Sequence, residues 1–335
     1  MSNVDDIIAE LNSKMNKKYK TKAPELFRAS ELPPVEWLAT GMLGYDWVNG
    51  GGAPRGHAEQ IYGRKSCGKT TVCLRRIAEA QRQGIVCAFI DLEHTFDETW
   101  AKKHGVDLDK LILHNPFQES GETTLTVVET MLATGEIGMI VVDSVPALCP
   151  EAMLDKGLED KHYGGNSALL EQFFKRIIGP GLLYDSNCVL IFINQPRDVI
   201  GSRIPMERLP GGRALSHYTS IHTEVKRGDF ITEVRNGEEI KIGQEVKLIN
   251  RKNKVRWPFR EQTLRLHFAN GFNPLFEVVQ FAVKYDLVEK SGAWLYYDGE
   301  SMGQGINNHM SWLYEHREVY GALRKQILEK IRAGV

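Results

Sequence analysis

The distribution of apolar residues along the chain predicts short buried strands that alternate with amphipathic helices. Four short runs rich in apolar residues occupy positions 58–62, 86–91, 139–143 and 189–193. Runs of this length are typical of strands buried on both faces. Helical spacing of apolar residues, as in 71–78, marks the connections between several of them. The pattern predicts an α/β fold with a largely parallel central sheet that helices cover on both faces.

Two further segments flank this core. Apolar residues at helical spacing in 5–19 predict an amphipathic helix, which is either an arm that docks onto a neighbouring subunit or a solvated, frayed terminus. After residue 273 a helix, a glycine- and aromatic-rich ribbon and a basic final helix predict a small separate unit. We therefore expect an N-terminal oligomerisation arm (1–35), a core (36–270) and a small C-terminal α/β domain (271–335).

Composition narrows the class of protein. The 335 residues are 42% hydrophobic and 25% charged, as in ordinary soluble globular proteins. The formal net charge is −1, so any nucleic-acid site must be local. No apolar run reaches the roughly 18 residues of a membrane helix, and no signal peptide is visible, so no membrane partner is expected. The five cysteines lack metal-ligand spacing and are expected to be reduced, which indicates the cytoplasm.

The strongest motif directly follows the strand at 58–62. Its residues match the phosphate-loop pattern G-x-x-x-x-G-K-[ST] at every fixed position. The two glycines let consecutive N–H groups face one anion, and the following helix adds partial positive charge. Lys69 supplies a charge for the β- and γ-phosphates, and Thr70 a hydroxyl for Mg²⁺. The predicted ATP-binding residues of this loop are Gly63, Arg64, Lys65, Ser66, Cys67, Gly68, Lys69, Thr70 and Thr71.

One residue of this loop carries a reactivity hypothesis. Cys67 lies at a helix N-terminus between Lys65 and Lys69. Such a thiol is expected to have a lowered pKa if it is exposed. Its alkylation would then block ATP binding.

Polar residues end three of the predicted strands. Glu93 follows the strand at 86–91 and is a candidate general base for water, or alternatively a surface glutamate in a loop. Asp143, with Ser144 after it, ends the strand at 139–143 and is placed beside Mg²⁺ together with Thr70. Gln195 follows the next strand and can hydrogen-bond a γ-phosphate. Since carboxyl ends of parallel strands share one edge, these residues predict a nucleotide-hydrolysing site.

Three polar stretches remain outside this scheme. Residues 154–165 and 196–212 are glycine-bearing and long for connections, so we expect them to be functional or mobile. The second stretch interleaves arginines with apolar residues, which suits single-stranded nucleic acid, although a mobile loop without a ligand is the alternative. Residues 250–258, between two or three predicted strands in 242–268, form the densest basic run and could be a solvated hairpin turn.

Taken together, these motifs resemble those of the bacterial RecA recombinase family, including its phage-encoded relatives. The resemblance runs from about residue 32 to about residue 330. The phosphate loop alone indicates only an NTPase, whereas the last three motifs in this order are specific to the recombinase: residues 211–215, residues 252–254, and residues 292–294 with 303–305. The matching groups are residues 63–71, 87–94, 140–145, 190–195, 211–215, 252–254, 292–294 and 303–305.

The resemblance implies roles for the nucleotide site. Asp97 and Trp100 would hold the adenine, with Trp100 replacing a tyrosine as the stacking surface. Lys252 and Lys254 would reach the ATP of the adjacent subunit and act in trans like an arginine finger. Gln195 would couple the γ-phosphate to the second loop. The predicted catalytic residues are Glu93, Lys69, Gln195, Lys252 and Lys254, and the predicted metal residues are Thr70 and Asp143.

The same resemblance assigns the two loops to single-stranded DNA and the C-terminal unit to duplex DNA. Tyr163 replaces a methionine and could stack on bases, and Ala168 replaces a phosphate-contacting arginine. No acidic tail follows the last helix, so readier duplex binding and a phage-type member are expected. The predicted DNA-binding residues are Tyr163, Gly164, Lys175, Arg197, Arg203, Arg208, Gly211, Gly212 and Arg213.

The sequence therefore predicts a DNA-dependent ATPase that forms a filament on single-stranded DNA and catalyses homologous pairing and strand exchange. Its expected cofactors are ATP and Mg²⁺. Its expected partners are single-stranded DNA, homologous duplex DNA, further copies of itself in a helical filament, and single-strand-binding and loader proteins. The alternatives are a ring-shaped RecA-fold motor, such as a replicative helicase, and a DNA-coating scaffold with a degenerate site.

Overall fold

The chain divides into an N-terminal unit, Met1–Glu36, and a large unit, Trp37–Val335. The structure is a computed structural model, and it describes residues 3–18, 25–154, 165–198 and 207–334. Within those stretches, none of the helices is long and apolar enough to cross a membrane.

Twelve α-helices lie in the described residues. They are α1 (Val4–Lys18), α2 (Leu43–Asn49), α3 (Lys69–Arg82), α4 (Glu98–Lys103), α5 (Gly121–Thr134), α6 (Glu151–Leu154), α7 (Gly165–Ile178), α8 (Leu182–Asp185), α9 (Gly212–Tyr218), α10 (Pro274–Lys284), α11 (Ile306–Glu315) and α12 (Arg317–Ala333). Short 3-10 helices occupy Ala29–Glu31, Leu108–Lys110 and Val145–Ala147.

The strands fall into one large sheet and three small ones. They are β1 (Trp37–Leu38), β2 (Ala53–Pro54), β3 (His57–Tyr62), β4 (Val86–Asp91), β5 (Leu111–His114), β6 (Ile137–Asp143), β7 (Val189–Asn194), β8 (Arg197–Asp198), β9 (Glu207–Arg208), β10 (Ile221–Arg235), β11 (Glu238–Asn253), β12 (Glu261–His267), β13 (Gly271–Phe272), β14 (Glu289–Ser291), β15 (Trp294–Tyr297) and β16 (Glu300–Gln304).

The N-terminal unit contains the amphipathic helix predicted at its start. Acidic residues lie in the first turn of α1 and lysines in its last turn, and these charges stabilise the helix through its dipole. The side chain of Asn12 exchanges two 2.8 Å hydrogen bonds with the backbone of Leu26, and Arg28 donates to Asp5 over 2.6 Å. These contacts order the unit internally, and docking onto a neighbouring subunit stays a prediction.

The central sheet has nine strands in the order β13-β12-β11-β10-β3-β7-β6-β4-β5. All pairings from β10 to β5 are parallel, and β11 to β13 are added antiparallel at one side. The prediction of a largely parallel sheet is confirmed.

Alternate residues of the parallel strands enter two different cores, as the pleat requires. In β6, Met139 and Val141 join the apolar cluster that includes α3, while Ile140 and Val142 join the cluster that includes α5 and α7. Helices therefore cover both faces. Because every strand side chain here is buried, the strands are continuously apolar rather than alternating.

A long β-ribbon departs from the prediction of two or three strands confined to 242–268. Strand β10 was not predicted, and β11 begins at Glu238, earlier than expected. The two strands pair up to Arg235 and Glu238, and the connecting Asn236 and Gly237 both have positive φ (53° and 83°). An Asn-Gly pair at such a turn is a strong hairpin signal that the prediction did not use.

The segment after β13 has its own apolar cluster. Helices α10 to α12 and the sheet of β14 to β16 surround Phe281, Leu313 and Ile327. The predicted helix, ribbon and final helix are all present, with α11 in addition. A domain boundary near residue 270 stays a prediction.

Candidate functional site

The phosphate loop joins the end of β3 to the start of α3 through a tight turn. Gly68 caps the helix in the left-handed region (φ 99°), and Ser66 also has a positive φ of 58°. A Cβ atom on Gly63 would lie 2.1 Å from the carbonyl oxygen of Val225, far inside any permitted contact. Glycine at this position is thus required by the close approach of strand β10.

The ammonium of Lys69 lies inside the loop. Its Nζ donates to the carbonyl oxygens of Gly63 and Arg64, each over 2.9 Å. The side chain is buried. A buried cation held by backbone carbonyls, with N–H groups around it, is a site for a phosphate anion.

Thr70 and Asp143 meet across the end of the sheet. The hydroxyl of Thr70 donates to Asp143 Oδ2 over 2.7 Å. Burial raises the pKa of the Asp143 carboxyl to about 6, opposed by the Thr70 hydrogen bond and reinforced by the nearby charge of Glu93. A hydroxyl and a carboxylate oxygen so placed fit a hard divalent cation such as Mg²⁺, which takes its other ligands from water and phosphate.

The three predicted strand ends converge on Glu93. Its Oε1 atom accepts a hydrogen bond from the hydroxyl of Ser144 and a 3.0 Å bond from the amide of Gln195. Asp91 accepts the N–H groups of Thr95 and Phe96, over 3.2 and 2.8 Å, and so fixes the turn that carries Glu93. The structure brings these groups together at one edge of the sheet, while their catalytic roles stay predictions.

Trp100 lies against the start of α3. Its indole N–H donates to the hydroxyl of Thr71 over 3.2 Å. Asp97 caps α4 by accepting the Trp100 backbone N–H over 2.9 Å, and the edge of His104 packs on the indole at 4.6 Å. Trp100 therefore contacts the last residue of the phosphate loop, Asp97 holds the helix turn that carries Trp100, and their adenine-binding role stays a prediction.

Lys252 and Lys254 are not brought to this site in the same chain. Lys252 pairs in register with His222, which is level with Gln60, two residues before the end of β3, and neither lysine side chain hydrogen-bonds the phosphate loop. Its Nζ donates to carbonyl oxygens at the C-terminus of α9, including that of Thr219 at 2.6 Å, and Lys254 donates to His217 over 2.9 Å. Burial, with the charge of Lys254, lowers the pKa of Lys252 to about 8.

A cleft of about 1000 Å³ opens beside the phosphate loop. Glu224, Lys226 and Arg227 of β10 line it, and sequence reasoning missed all three because it did not predict that strand. Across the cleft, the guanidinium of Arg64 lies 3.6 Å from the carboxylate of Asp198. The cleft thus connects the nucleotide loop with the start of the second predicted DNA loop.

Most of the two predicted DNA loops, with Tyr163, Gly164 and Arg203, lies outside the described residues. Arg197 and Arg208 are paired in the small β8–β9 ladder. The remaining candidates surround α7 and α9. Gly211 caps α9 with φ 85°, Gly212 and the exposed Arg213 follow it, and the exposed Lys175 pairs with Glu171 over 2.7 Å.

Asn194 is a functional candidate that sequence reasoning missed. Its side chain donates to the carbonyl of Pro210 over 2.8 Å and accepts the N–H of Gln195 over 2.9 Å. It therefore links the two ends of the second predicted loop beside Gln195. The available signal was a polar residue at the end of an otherwise apolar strand.

The condition of the reactivity hypothesis for Cys67, an exposed thiol, is not met. The residue is only 1% exposed. Burial raises the pKa of its thiol, and the positive charge of Lys69 only partly offsets this effect. The residue borders the cleft, but its thiol packs in the core cluster beneath the loop.

Comparisons with known proteins agree with the site described above. A family model described as RecA N-terminal domain matches residues 6–273, and one described as RecA C-terminal domain matches residues 276–332. A relative named Protein RecA from Teredinibacter turnerae is 40% identical over 299 residues, which cover 89% of this chain and 85% of the relative. The protein of the same name from Colwellia psychrerythraea is 42% identical over 287 residues, covering 85% and 81%. These comparisons do not support a phage-type origin, which stays a prediction.

Proposed function

This chain belongs to the RecA family and is a RecA-type recombinase rather than a ring-shaped helicase, and we propose that it couples hydrolysis of Mg²⁺-ATP to strand exchange. Membership implies a DNA-dependent ATPase that binds nucleotide with a divalent metal and forms filaments on DNA. The finer proposal is a helical filament on single-stranded DNA that pairs this strand with a homologous duplex.

One observation carries the proposal for hydrolysis. The carboxylate of Glu93 is held by Ser144 and Gln195 at the same sheet edge as the Thr70–Asp143 pair. A carboxylate fixed beside a phosphate loop can orient water and take its proton. The intact set argues against a scaffold with a degenerate site.

Each residue then has a defined task. Lys69 binds the β- and γ-phosphates, and Thr70 with Asp143 would hold Mg²⁺. The bound ion would neutralise negative charge on the phosphates. Glu93 accepts the proton of the attacking water. Gln195 leaves Glu93 to hydrogen-bond the γ-phosphate and passes this change to the second loop.

Lys252 and Lys254 complete the site of the adjacent copy. Their ammonium groups donate to carbonyl oxygens at the end of α9 and not to the phosphate loop of their own chain, which supports a role for them in trans. A cation supplied across an interface to a phosphoryl-transfer site is worth roughly 10³–10⁵ in rate in GTPases. Hydrolysis would consequently require assembly.

The proposed DNA contacts use the basic residues around the two loops. Arg197 and Arg208 in the second loop and Arg213 directly after it are exposed, and Lys175 lies on the exposed face of α7. Together with Tyr163, Gly164 and Arg203 they would bind the backbone and bases of single-stranded DNA, with specificity left to base pairing. Single-strand-binding and loader proteins are the further partners proposed.

A mixing experiment tests the shared site. Glu93→Gln keeps the donating lysines, and Lys252→Ala/Lys254→Ala keeps the Glu93 site. Each variant alone should lose DNA-stimulated ATPase, and an equal mixture should recover about a quarter of the wild-type rate, because copies pair at random in a head-to-tail assembly.

Three outcomes would contradict parts of the proposal. ATPase activity of the wild type that ignores single-stranded DNA would exclude the recombinase function. A mixture that stays inactive would exclude the trans role of the lysines. Unchanged turnover in Glu93→Gln would instead support a scaffold.

A further inference from the structure

The loop between β11 and β12, residues 254–260, presents two aromatic rings to solvent. Trp257 is 70% exposed and Phe259 is 74% exposed. Large aromatics on a surface are costly to leave in water, and exposed apolar groups of this kind mark interaction sites. Neither ring has a role in the nucleotide site described above.

The loop is held rigidly by its own hydrogen bonds. The side-chain oxygen of Asn253 accepts the N–H groups of Val255 and Arg256 over 2.9 and 2.8 Å. The N–H of Phe259 donates to the carbonyl of Asn250 over 3.1 Å. The rings are therefore presented in a fixed geometry, which reduces the entropy cost of docking.

The backbone of Phe259 lies in the left-handed region, with φ of 70°. This region suits glycine or asparagine, and a bulky side chain there is strained. The ring does not enter the core that could compensate the strain. Folding of a single copy therefore gives no reason for an aromatic residue here.

Arginines of the loop lie close to Trp257 and to two other tryptophan rings. The guanidinium of Arg260 lies 5.7 Å from the centre of the Trp257 ring and 5.1 Å from that of Trp47. Arg256 lies 5.8 Å from the centre of the Trp37 ring. Tryptophan and arginine on a preformed surface are the composition of interface hot spots.

We propose that Trp257 and Phe259 are the anchors by which one copy docks onto the nucleotide side of the next copy. The inference rests on the proposed function, because Trp257 follows Lys254 by three residues and Lys254 would have to reach the neighbour's ATP. An anchor this close to the trans-acting lysines fixes their distance from the phosphates. The loop is then a positioning device as well as a docking surface.

Charge complementarity supports this occupant. The donating loop carries Lys254, Arg256 and Arg260 and no acidic residue. The segment 93–99, which leads from Glu93 to the Trp100 that contacts Thr71, contains Glu93, Asp97 and Glu98 and no lysine or arginine. Opposite charges on two such faces favour the correct encounter of the copies.

The test uses the mixture of two variants described above and adds a further substitution to only one of them. The donor is Glu93→Gln, and the acceptor is Lys252→Ala/Lys254→Ala. Trp257→Ala added to the donor should lower the recovered ATPase about tenfold or more at limiting protein concentration, as expected for a hot-spot residue. The same change in the acceptor should lower recovery clearly less, because it leaves the active contact between the donor's loop and the acceptor's nucleotide side intact.

Two further variants separate docking from folding. Phe259→Gly in the donor should also reduce recovery, while the melting temperature of this variant rises or stays unchanged because the strain is relieved. Tyr314→Ala is the matched control, since Tyr314 is 60% exposed and lies under the guanidinium of Arg317 at 4.1 Å. It should change recovery in neither chain.

Three results of this experiment would contradict the inference or the function on which it rests. Equal losses from Trp257→Ala in donor and acceptor would overturn the inference and assign the rings to nucleic acid. No loss in either chain would also overturn it. Failure of the unsubstituted pair to recover activity would instead reject the trans site of the proposed function, independently of Trp257.

Discussion

The side-chain amide of Gln195 donates a 3.0 Å hydrogen bond to the carboxylate of Glu93. The same oxygen of Glu93 accepts the hydroxyl of Ser144. The group proposed to activate water is therefore linked directly to the group proposed to sense the γ-phosphate. Release of Gln195 toward phosphate would free a lone pair of Glu93 at the moment when water must be deprotonated.

Glu93→Gln should lower the rate of hydrolysis by about 10²–10⁴, because an amide cannot accept the proton of water. Nucleotide affinity should stay within a few-fold, since binding depends on the phosphate loop. Single-turnover hydrolysis and titration with a fluorescent ATP analogue measure the two quantities. Glu136→Gln, an exposed carboxylate at the far end of β6 from Asp143, is the control, and equal losses in both variants would refute a specific role for Glu93.

Gly63→Ala should destabilise the fold by roughly 1–3 kcal/mol and abolish nucleotide binding, because the new methyl group meets a backbone carbonyl that cannot move aside. Gly321→Ala is the matched control. Gly321 lies inside α12 with no atom within 4 Å of an added Cβ, so alanine should stabilise by about 0.5–1 kcal/mol. Denaturant unfolding measures both effects, and a destabilised Gly321→Ala would contradict the reasoning.

Glu277 should make stability depend on pH. Burial raises the pKa of its carboxyl from 4.5 to about 8, against the hydrogen bond from the Gly44 N–H, with Asp46 reinforcing the shift and Arg75 and Arg324 opposing it. Between these two values the unfolded chain loses the proton and the folded chain keeps it. The free energy of unfolding therefore falls as pH rises through this window, by up to a few kcal/mol.

Glu277→Gln removes this dependence, because its amide is neutral and its oxygen can still accept the Gly44 N–H. The melting temperature of Glu277→Gln should exceed that of the wild type by an amount that grows from pH 5 to pH 8. Glu315→Gln, an exposed glutamate of α11, should follow the wild type at every pH. Parallel curves for Glu277→Gln and the wild type would show that Glu277 is ionised in the folded protein.

A thiol titration should find one reactive cysteine per native chain. Cys149 is half-buried, whereas the other four cysteines, including Cys67, are buried. Cys149→Ser should remove the fast reaction, and all five thiols of the wild type should react after denaturation. Fast loss of ATP binding on alkylation of Cys149→Ser would show that Cys67 is accessible after all.

The phosphate loop and the alternation of strands with helices could be predicted from the sequence, because both depend on residues close together in the chain. Gly63, Gly68, Lys69 and Thr70 act within one turn, and a doubly buried strand is continuously apolar wherever it pairs. The family resemblance then supplied the candidate roles of Lys252 and Lys254, which spacing alone left as a basic turn.

Tertiary structure decided what depends on residues far apart in the chain. Glu93 meets Ser144 and Gln195 across separations of 51 and 102 residues, and only the packing of strands β4, β6 and β7 sets those contacts. The low exposure of Cys67 also depends on tertiary structure, since the sequence placed this residue between two lysines but could not show that the core covers its thiol. The strain at Phe259 arises in the same way, because the hydrogen bonds of a folded loop hold a backbone angle that the residue itself disfavours.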